Sequence, residues 1–156
     1  MSIKVYGMEE LQFLIRQTGA RASRGVIDKM REQATEARDL ARKMAPVDEG
    51  NLEEAIKVEE VAGGRDELGR FVRNSIQLYV DGDMVLPENP NRTVGDYAME
   101  IHEHQTPYGP IPLGEKSQQK QEGQSEVVGG KFLERAVEEK LEGRTGELQD
   151  VVNDLV

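Results

Sequence analysis

The sequence contains no cysteine and no tryptophan, and aromatic residues make up only 4% of its 156 positions. Without cysteine, the chain has neither a disulfide framework nor thiolate chemistry. It has no run of about 20 apolar residues, the length that a transmembrane helix needs, and its first residues lack the apolar core of a signal peptide. We therefore expect a soluble protein that is made in the cytoplasm and stabilised by packing, alone or within its own oligomer.

The charge balance is acidic, with 30 Asp and Glu against 20 Lys and Arg and a net charge of -10. Affinity for DNA comes mainly from Lys and Arg that displace counterions from phosphates, so the composition disfavours nucleic acid as a direct ligand. A partner surface is expected to be basic or neutral. The length suits one domain with a modest core, because only 37% of the residues are hydrophobic.

The clearest periodic pattern runs from Ser23 to Met44, where apolar residues recur at steps of three and four. It predicts a long amphipathic helix that ends near Met44, because Pro46 cannot donate a helical hydrogen bond and restricts the residue before it. Apolar residues alternate with polar ones in 52–62 and 71–80. These two runs predict neighbouring antiparallel strands.

Weaker patterns complete the expected fold. Residues 84–95 are predicted to be mostly loop, and Asp96 is predicted to cap the helix that follows it. Shorter helices are predicted at 8–17, 97–103, 131–142 and 143–156. The fold class is therefore α+β: one domain spanning 1–156, in which a small antiparallel sheet packs against the long helix and a C-terminal helix.

Residues 104–130 contain three prolines, several glycines and a glutamine-rich tract. A loop of this length without secondary structure is uncommon in a compact domain and tends to be functional or disordered. We expect a long extended arm that becomes ordered against a neighbouring subunit. Its removal should then abolish assembly and leave the monomer folded.

The chain has only two histidines, His102 and His104, which flank Glu103. On a helix, residues two apart point about 200° away from each other, so the two imidazoles could share a metal ion only if the helix had ended before His104. A capping or interface role is favoured for both. No Ser or Thr lies in a recognisable nucleophile setting. The sequence thus predicts no catalytic residue, no metal ligand and no cofactor.

Four segments resemble those of a phage protein family. Residues 45–56 read APVDEGNLEEAI after the predicted long helix. They resemble the Pro-x-Asp-Thr-Gly-x-Leu signature of the tailed-phage neck and tail-completion proteins, with Glu49 in place of the usual Thr. Residues 97–103 (YAMEIHE), 129–136 (GGKFLERA) and 5–11 (VYGMEEL) are similar to three further segments of that family.

The resemblance implies a structural subunit of a ring between portal and tail, with a hexamer as the expected ring. Its partners would be copies of itself and the phage connector and tail proteins, within the virion. DNA would pass through the lumen without specific binding, and no membrane is involved. The turn expected to frame the fold consists of Pro46, Asp48, Gly50 and Leu52. Residues expected at interfaces or in assembly are Tyr97, Ile101, His102, His104, Tyr108, Lys131 and Phe132.

Three alternatives remain open at this stage. A neck ring and a tail-terminator ring would demand the same features of the subunit. A small metal-dependent hydrolase would need His102 and His104 at one bound ion. An acidic regulator that mimics DNA would carry its negative charges along one face, although Lys and Arg are interspersed through most acidic segments.

Overall fold

The computed structural model describes residues 20–47, 50–141 and 144–154. The order of helices and antiparallel strands confirms the predicted α+β fold class. Three predicted features lie outside the described residues: Asp48 of the framing turn, the helix at 8–17 and the opening segment 5–11. Within the described ranges, no helix combines the length and the apolar character needed to cross a bilayer.

Helix α1 spans Ala20–Met44 and confirms the predicted long helix. One stripe of apolar side chains faces the core, as expected for an amphipathic helix. The helix ends before Pro46, and the amide of Ala45 donates the last helical hydrogen bond to Ala41 over 2.8 Å. The buried apolar residues of the stripe are Val26, Met30, Ala34, Ala37, Leu40, Ala41 and Met44.

A short helix, α2, spans Asn51–Ala55 and continues directly into strand β1, Ile56–Val61. The helix was missed because five residues are too few to show a helical period. Gly50 precedes it with φ of 86°, a left-handed conformation that glycine adopts without a steric penalty. Leu52 in α2 is buried against the end of α1.

The central hairpin pairs β1 with β4, Ser75–Val80, in antiparallel register from Ile56 opposite Val80 to Val61 opposite Ser75. This confirms the predicted strand pair. Strands β2, Gly64–Arg65, and β3, Phe71–Val72, pair in the same hairpin beyond it. Alternate β4 side chains are buried, which fits a sheet with one face on the core; they are Ile76, Leu78 and Val80.

Residues 84–95 were predicted to be mostly loop, and this prediction is wrong. They contain a second hairpin of β5, Val85–Leu86, and β6, Asn89–Thr93. Burial of Leu86 and main-chain pairing hold this hairpin, although β6 has a polar, proline-containing sequence. Helix α3 follows at Gly95–His104. Asp96 does not cap it as predicted, because its carboxylate accepts a hydrogen bond of 2.8 Å from the amide of Thr93.

The expected unstructured arm at 104–130 contains helix α4, Glu115–Glu122. Helices α5, Phe132–Leu141, and α6, Thr145–Asn153, follow and agree with the two predicted C-terminal helices. The main core lies between α1, α5 and the central hairpin. A smaller cluster joins α6 to the first half of α1 through Leu148, Met30 and Ile76.

Candidate functional site

Three of the four segments that resemble the phage family meet in space. The amide of Gly129 donates a hydrogen bond of 2.9 Å to the carbonyl of Met44, at the end of α1. The amide of Lys131 donates a hydrogen bond of 2.7 Å to the main-chain carbonyl of His102, near the end of α3. We call this meeting point, formed by residues 44–52, 97–107 and 128–132, the junction.

The junction requires glycine where its main chains touch. A Cβ atom on Gly130 would lie 2.6 Å from the carbonyl oxygen of Gln105 and 3.0 Å from that of His102. One on Gly129 would lie 1.8 Å from the carbonyl oxygen of Thr106. Such distances are far below ordinary contact, so a side chain at either position would force the segments apart. The Thr106–Pro107 peptide bond in the facing turn is cis.

His102 and Phe132 were expected at interfaces, but both side chains are buried in the core of the subunit. His102 is 2% exposed and Phe132 is fully buried. Their rings pack edge to face with centroids 5.0 Å apart, because α3 lies against the start of α5. The Nδ1 atom of His102 is 3.0 Å from Glu103 Oε1, whereas Nε2 is buried without a hydrogen-bond partner in the part of the chain described.

His104 is exposed at the end of α3, on a different side of the helix from the buried ring of His102. The geometry therefore does not favour one metal ion held by both histidines. Among the described residues, no group of three or more His, Asp or Glu side chains is placed to hold a metal ion.

Lys131 forms the polar contact that joins α3 to α5. Its Nζ lies 2.6 Å from Glu103 Oε2 and 3.5 Å from Glu134 Oε2. The hydrogen bonds from Lys131 and then from His102 lower the pKa of Glu103, and Glu103 raises the pKa of Lys131. The backbone of Lys131 has φ of 58°, which is uncommon for a residue with a side chain. Its contacts lie within the subunit.

The glutamine-rich segment, residues 114–128, closes over the end of α1; we call it the clasp. Lys120 Nζ donates hydrogen bonds of 2.6 Å and 2.8 Å to the carbonyls of Arg42 and Ala45, and it also pairs with the carboxylate of Glu53. The last carbonyls of a helix lack partners within the helix, and a cation at this negative end is stabilising.

Other polar side chains of the clasp also form hydrogen bonds with main-chain groups at or just after the end of α1. Ser117 Oγ donates to the carbonyl of Val47 over 3.0 Å and accepts from the Val47 amide over 2.8 Å. Gln124 Nε2 donates to the carbonyl of Lys43 over 2.8 Å. The clasp is therefore part of the monomer's own packing, and the expectation of a structureless arm is wrong for this segment.

Tyr108 is 54% exposed and remains a candidate interface residue. The guanidinium carbon of Arg135 lies 5.3 Å from the centroid of its ring, within the range of a cation–π contact. Arg135 also donates to the carbonyls of Val127 and Gly130 over 2.8 Å and 3.1 Å. Burial lowers the pKa of Arg135, and these contacts fix the start of α5.

A depression with apolar and charged walls runs beside the junction. One cavity of about 400 Å³ has walls formed by residues of the framing turn, of α3 and of the turn before α4. A second of about 610 Å³ adjoins it and shares Asn51, Tyr97 and Ile101 with the first. We call both together the groove. Its walls include four residues that the sequence singled out: Pro46, Leu52, Tyr97 and Ile101.

The central hairpin ends in an exposed apolar pair that the sequence analysis missed. Leu68 and Phe71 are 76% and 75% exposed, the highest values among the large hydrophobic residues described. The sequence feature that could have revealed this pair is an apolar residue, Leu68, within the charged turn 65–70, which is followed directly by Phe71. We call residues 65–73 the tip.

No protein-family model matches the sequence, and no curated protein or solved structure is significantly similar to it.

Proposed function

We propose that this chain is a structural subunit of a ring in a tailed phage, either the neck ring of the head–tail junction or the tail-completion ring. The observation that carries the proposal is the junction. Of three segments that are far apart in sequence and each similar to a segment of that family, 97–103 and 129–136 are hydrogen-bonded to each other. Gly129 also bonds to Met44, the residue directly before the third segment, 45–56. Two of the three segments also form walls of the same groove.

A ring of identical subunits needs two unlike surfaces on each subunit, because each copy contacts its neighbours through different patches. The groove and the tip are two such surfaces, one concave and one projecting. A hexamer is the proposed ring, located in the virion and in contact with connector and tail proteins.

The charge of the chain is compatible with a channel for DNA. Several cations are used in ion pairs within the subunit, including Lys57 with Asp81 at 2.5 Å and Arg144 with Glu36 at 2.6 Å. A net charge of -10 would repel the duplex from the lumen and prevent sticking during passage. An assembled ring with a lumen dominated by Lys and Arg would contradict this part of the proposal.

The mass of the purified chain in solution tests the proposal. We expect a closed oligomer whose population rises with concentration, or a monomer that is incorporated when isolated tails or portal complexes are added. A chain that forms a tight complex with a basic DNA-binding protein instead would support the regulator alternative and contradict a ring.

A further inference from the structure

We infer that the tip of one subunit inserts Leu68 and Phe71 into the groove of a second copy of this chain. The inference rests on the proposed ring function and deepens it by naming the two surfaces that meet. It predicts a head-to-tail contact, in which each subunit offers its tip to one neighbour and its groove to the other.

The tip is held in one shape before any partner arrives. The Oδ1 atom of Asp66 accepts hydrogen bonds from the amides of Leu68 and Arg70 over 3.0 Å and 2.8 Å. Its Oδ2 accepts a further one of 2.7 Å from Arg70 Nε, and Arg65 Nη1 donates to the carbonyl of Gly69 over 2.9 Å. A pre-organised turn loses little conformational entropy on binding.

The tip and the groove of one subunit lie at opposite ends of the segment formed by β1 and β2. Leu52 lies in the wall of the groove, and β1 begins four residues later at Ile56. From Ile56 to Arg65 the chain is mostly extended, which at about 3.3 Å per residue spans about 30 Å. The tip therefore lies too far from its own groove to fill it, and a contact between them must join two chains.

The chemistry of the two surfaces is complementary. Removing exposed apolar side chains from water lowers the free energy of the system. Leu68 and Phe71 are such side chains, and the groove offers them apolar walls that include Ile111 and Pro112. The tip carries three arginines against two acids, although the chain as a whole has a net charge of -10. The groove has Glu88 and Glu100 on its walls, together with one cation, Arg92. Opposite charges at the rim of an interface favour encounter in the correct orientation.

The absence of cysteine allows a direct test by crosslinking. A Leu68→Cys variant is mixed with a Pro112→Cys variant and treated with a short bis-maleimide reagent. We expect a covalent dimer that contains one chain of each kind. The control mixes Leu68→Cys with Val127→Cys, an exposed position outside the groove. A mixed dimer that forms equally well in the control would overturn the inference.

A second test uses variants that each lose one surface. The tip variant carries Leu68→Ser and Phe71→Ser, and the groove variant carries Glu100→Arg and Pro112→Arg; all four residues are exposed. Each alone should assemble at least about tenfold more weakly than the wild-type chain, as expected for loss of a central apolar anchor. Mixed together, they should form a dimer that grows no further, because only one complete contact remains.

The control for this test carries Val85→Ser and Val127→Ser, two exposed apolar residues outside the tip, and should assemble normally. Circular dichroism and thermal unfolding would check that every variant is folded. Unchanged rings from a folded tip variant would overturn the inference and leave the proposed function intact. A wild-type chain that stays monomeric alone, on tails and on portal complexes would overturn both.

Discussion

The ammonium group of Lys120 donates a hydrogen bond of 2.6 Å to the carbonyl oxygen of Arg42, 78 residues earlier in the chain. Together with its bond to Ala45, this contact ties the glutamine-rich clasp to the end of α1. Deleting 104–130 would remove it, along with the buried side chains of Gln105, Ser117 and Val128. We now expect that deletion to unfold the subunit, so it could not test assembly by itself.

Replacement of Lys120 by methionine should lower the free energy of unfolding by about 2 kcal/mol, because main-chain carbonyls at the end of α1 would lose their hydrogen-bond donor. Urea denaturation of the two proteins measures the difference. The matched control is Lys43→Met, which removes the same charge from an exposed position near the end of α1 and should change stability by less than about 0.5 kcal/mol. Equal effects of the two substitutions would contradict the role of Lys120.

Replacement of Gly130 by alanine should be strongly destabilising, by more than about 2 kcal/mol, because its Cβ would lie 2.6 Å from the carbonyl oxygen of Gln105. The midpoint of thermal unfolding would report the loss. Gly146→Ala provides the comparison, since nothing lies within 4 Å of its Cβ and the residue is in α6. That change should stabilise the protein by up to about 1 kcal/mol. If Gly130→Ala left the thermal unfolding midpoint unchanged, this would contradict the close main-chain contacts of Gly130 at the junction.

Replacement of Glu103 by glutamine should make the protein less sensitive to acid. The pKa of Glu103 is lowered in the folded state, chiefly by the hydrogen bond from Lys131. Its contribution is therefore present above the ordinary pKa of 4.5 and is lost as the pH falls through the lowered value. The variant should be less stable than the wild-type chain near neutral pH and should lose less stability on acidification.

Urea denaturation at about pH 7 and about pH 3 measures both effects of Glu103→Gln. Glu100→Gln is the control, because Glu100 is exposed on the same helix. Identical pH dependence of the wild-type chain and the Glu103→Gln variant would show that the ion pair with Lys131 does not contribute to folding.

Two aromatic residues that the sequence placed at interfaces should behave differently. Phe132→Ala should cost about 3–5 kcal/mol of stability, because Phe132 is fully buried against His102. Tyr108→Ala should cost less than about 1 kcal/mol, the range of an exposed cation–π contact with Arg135. Thermal unfolding distinguishes them, and similar losses would contradict the assignment of Phe132 to the core.

The elements predicted correctly are those whose own sequence carries the pattern. The apolar steps from Val26 to Met44 require a helix, and the alternation of Ile76, Leu78 and Val80 requires a strand with one buried face. Helix α2 and the β5–β6 hairpin were missed because they are short and depend on burial of Leu52 and Leu86 by distant residues.

The clasp was misread for a related reason. Its polar side chains indicate solvent exposure by composition, but their partners are main-chain groups at the end of α1, which no local pattern reveals. At the site, the resemblance singled out Pro46, Leu52, Tyr97 and Ile101, which the structure brings together in the groove. The tip could be recognised only once the exposure of Leu68 and Phe71 was known.

Imaging of the full-length wild-type chain, alone and mixed with isolated tails and portal complexes, tests the ring proposal most directly. The account predicts closed rings of about six subunits, the number that the resemblance implies, closed by heterologous contacts between neighbours. These rings should form in solution or at the end of a tail or portal. A folded chain that remains a strict monomer and binds neither structure would contradict it.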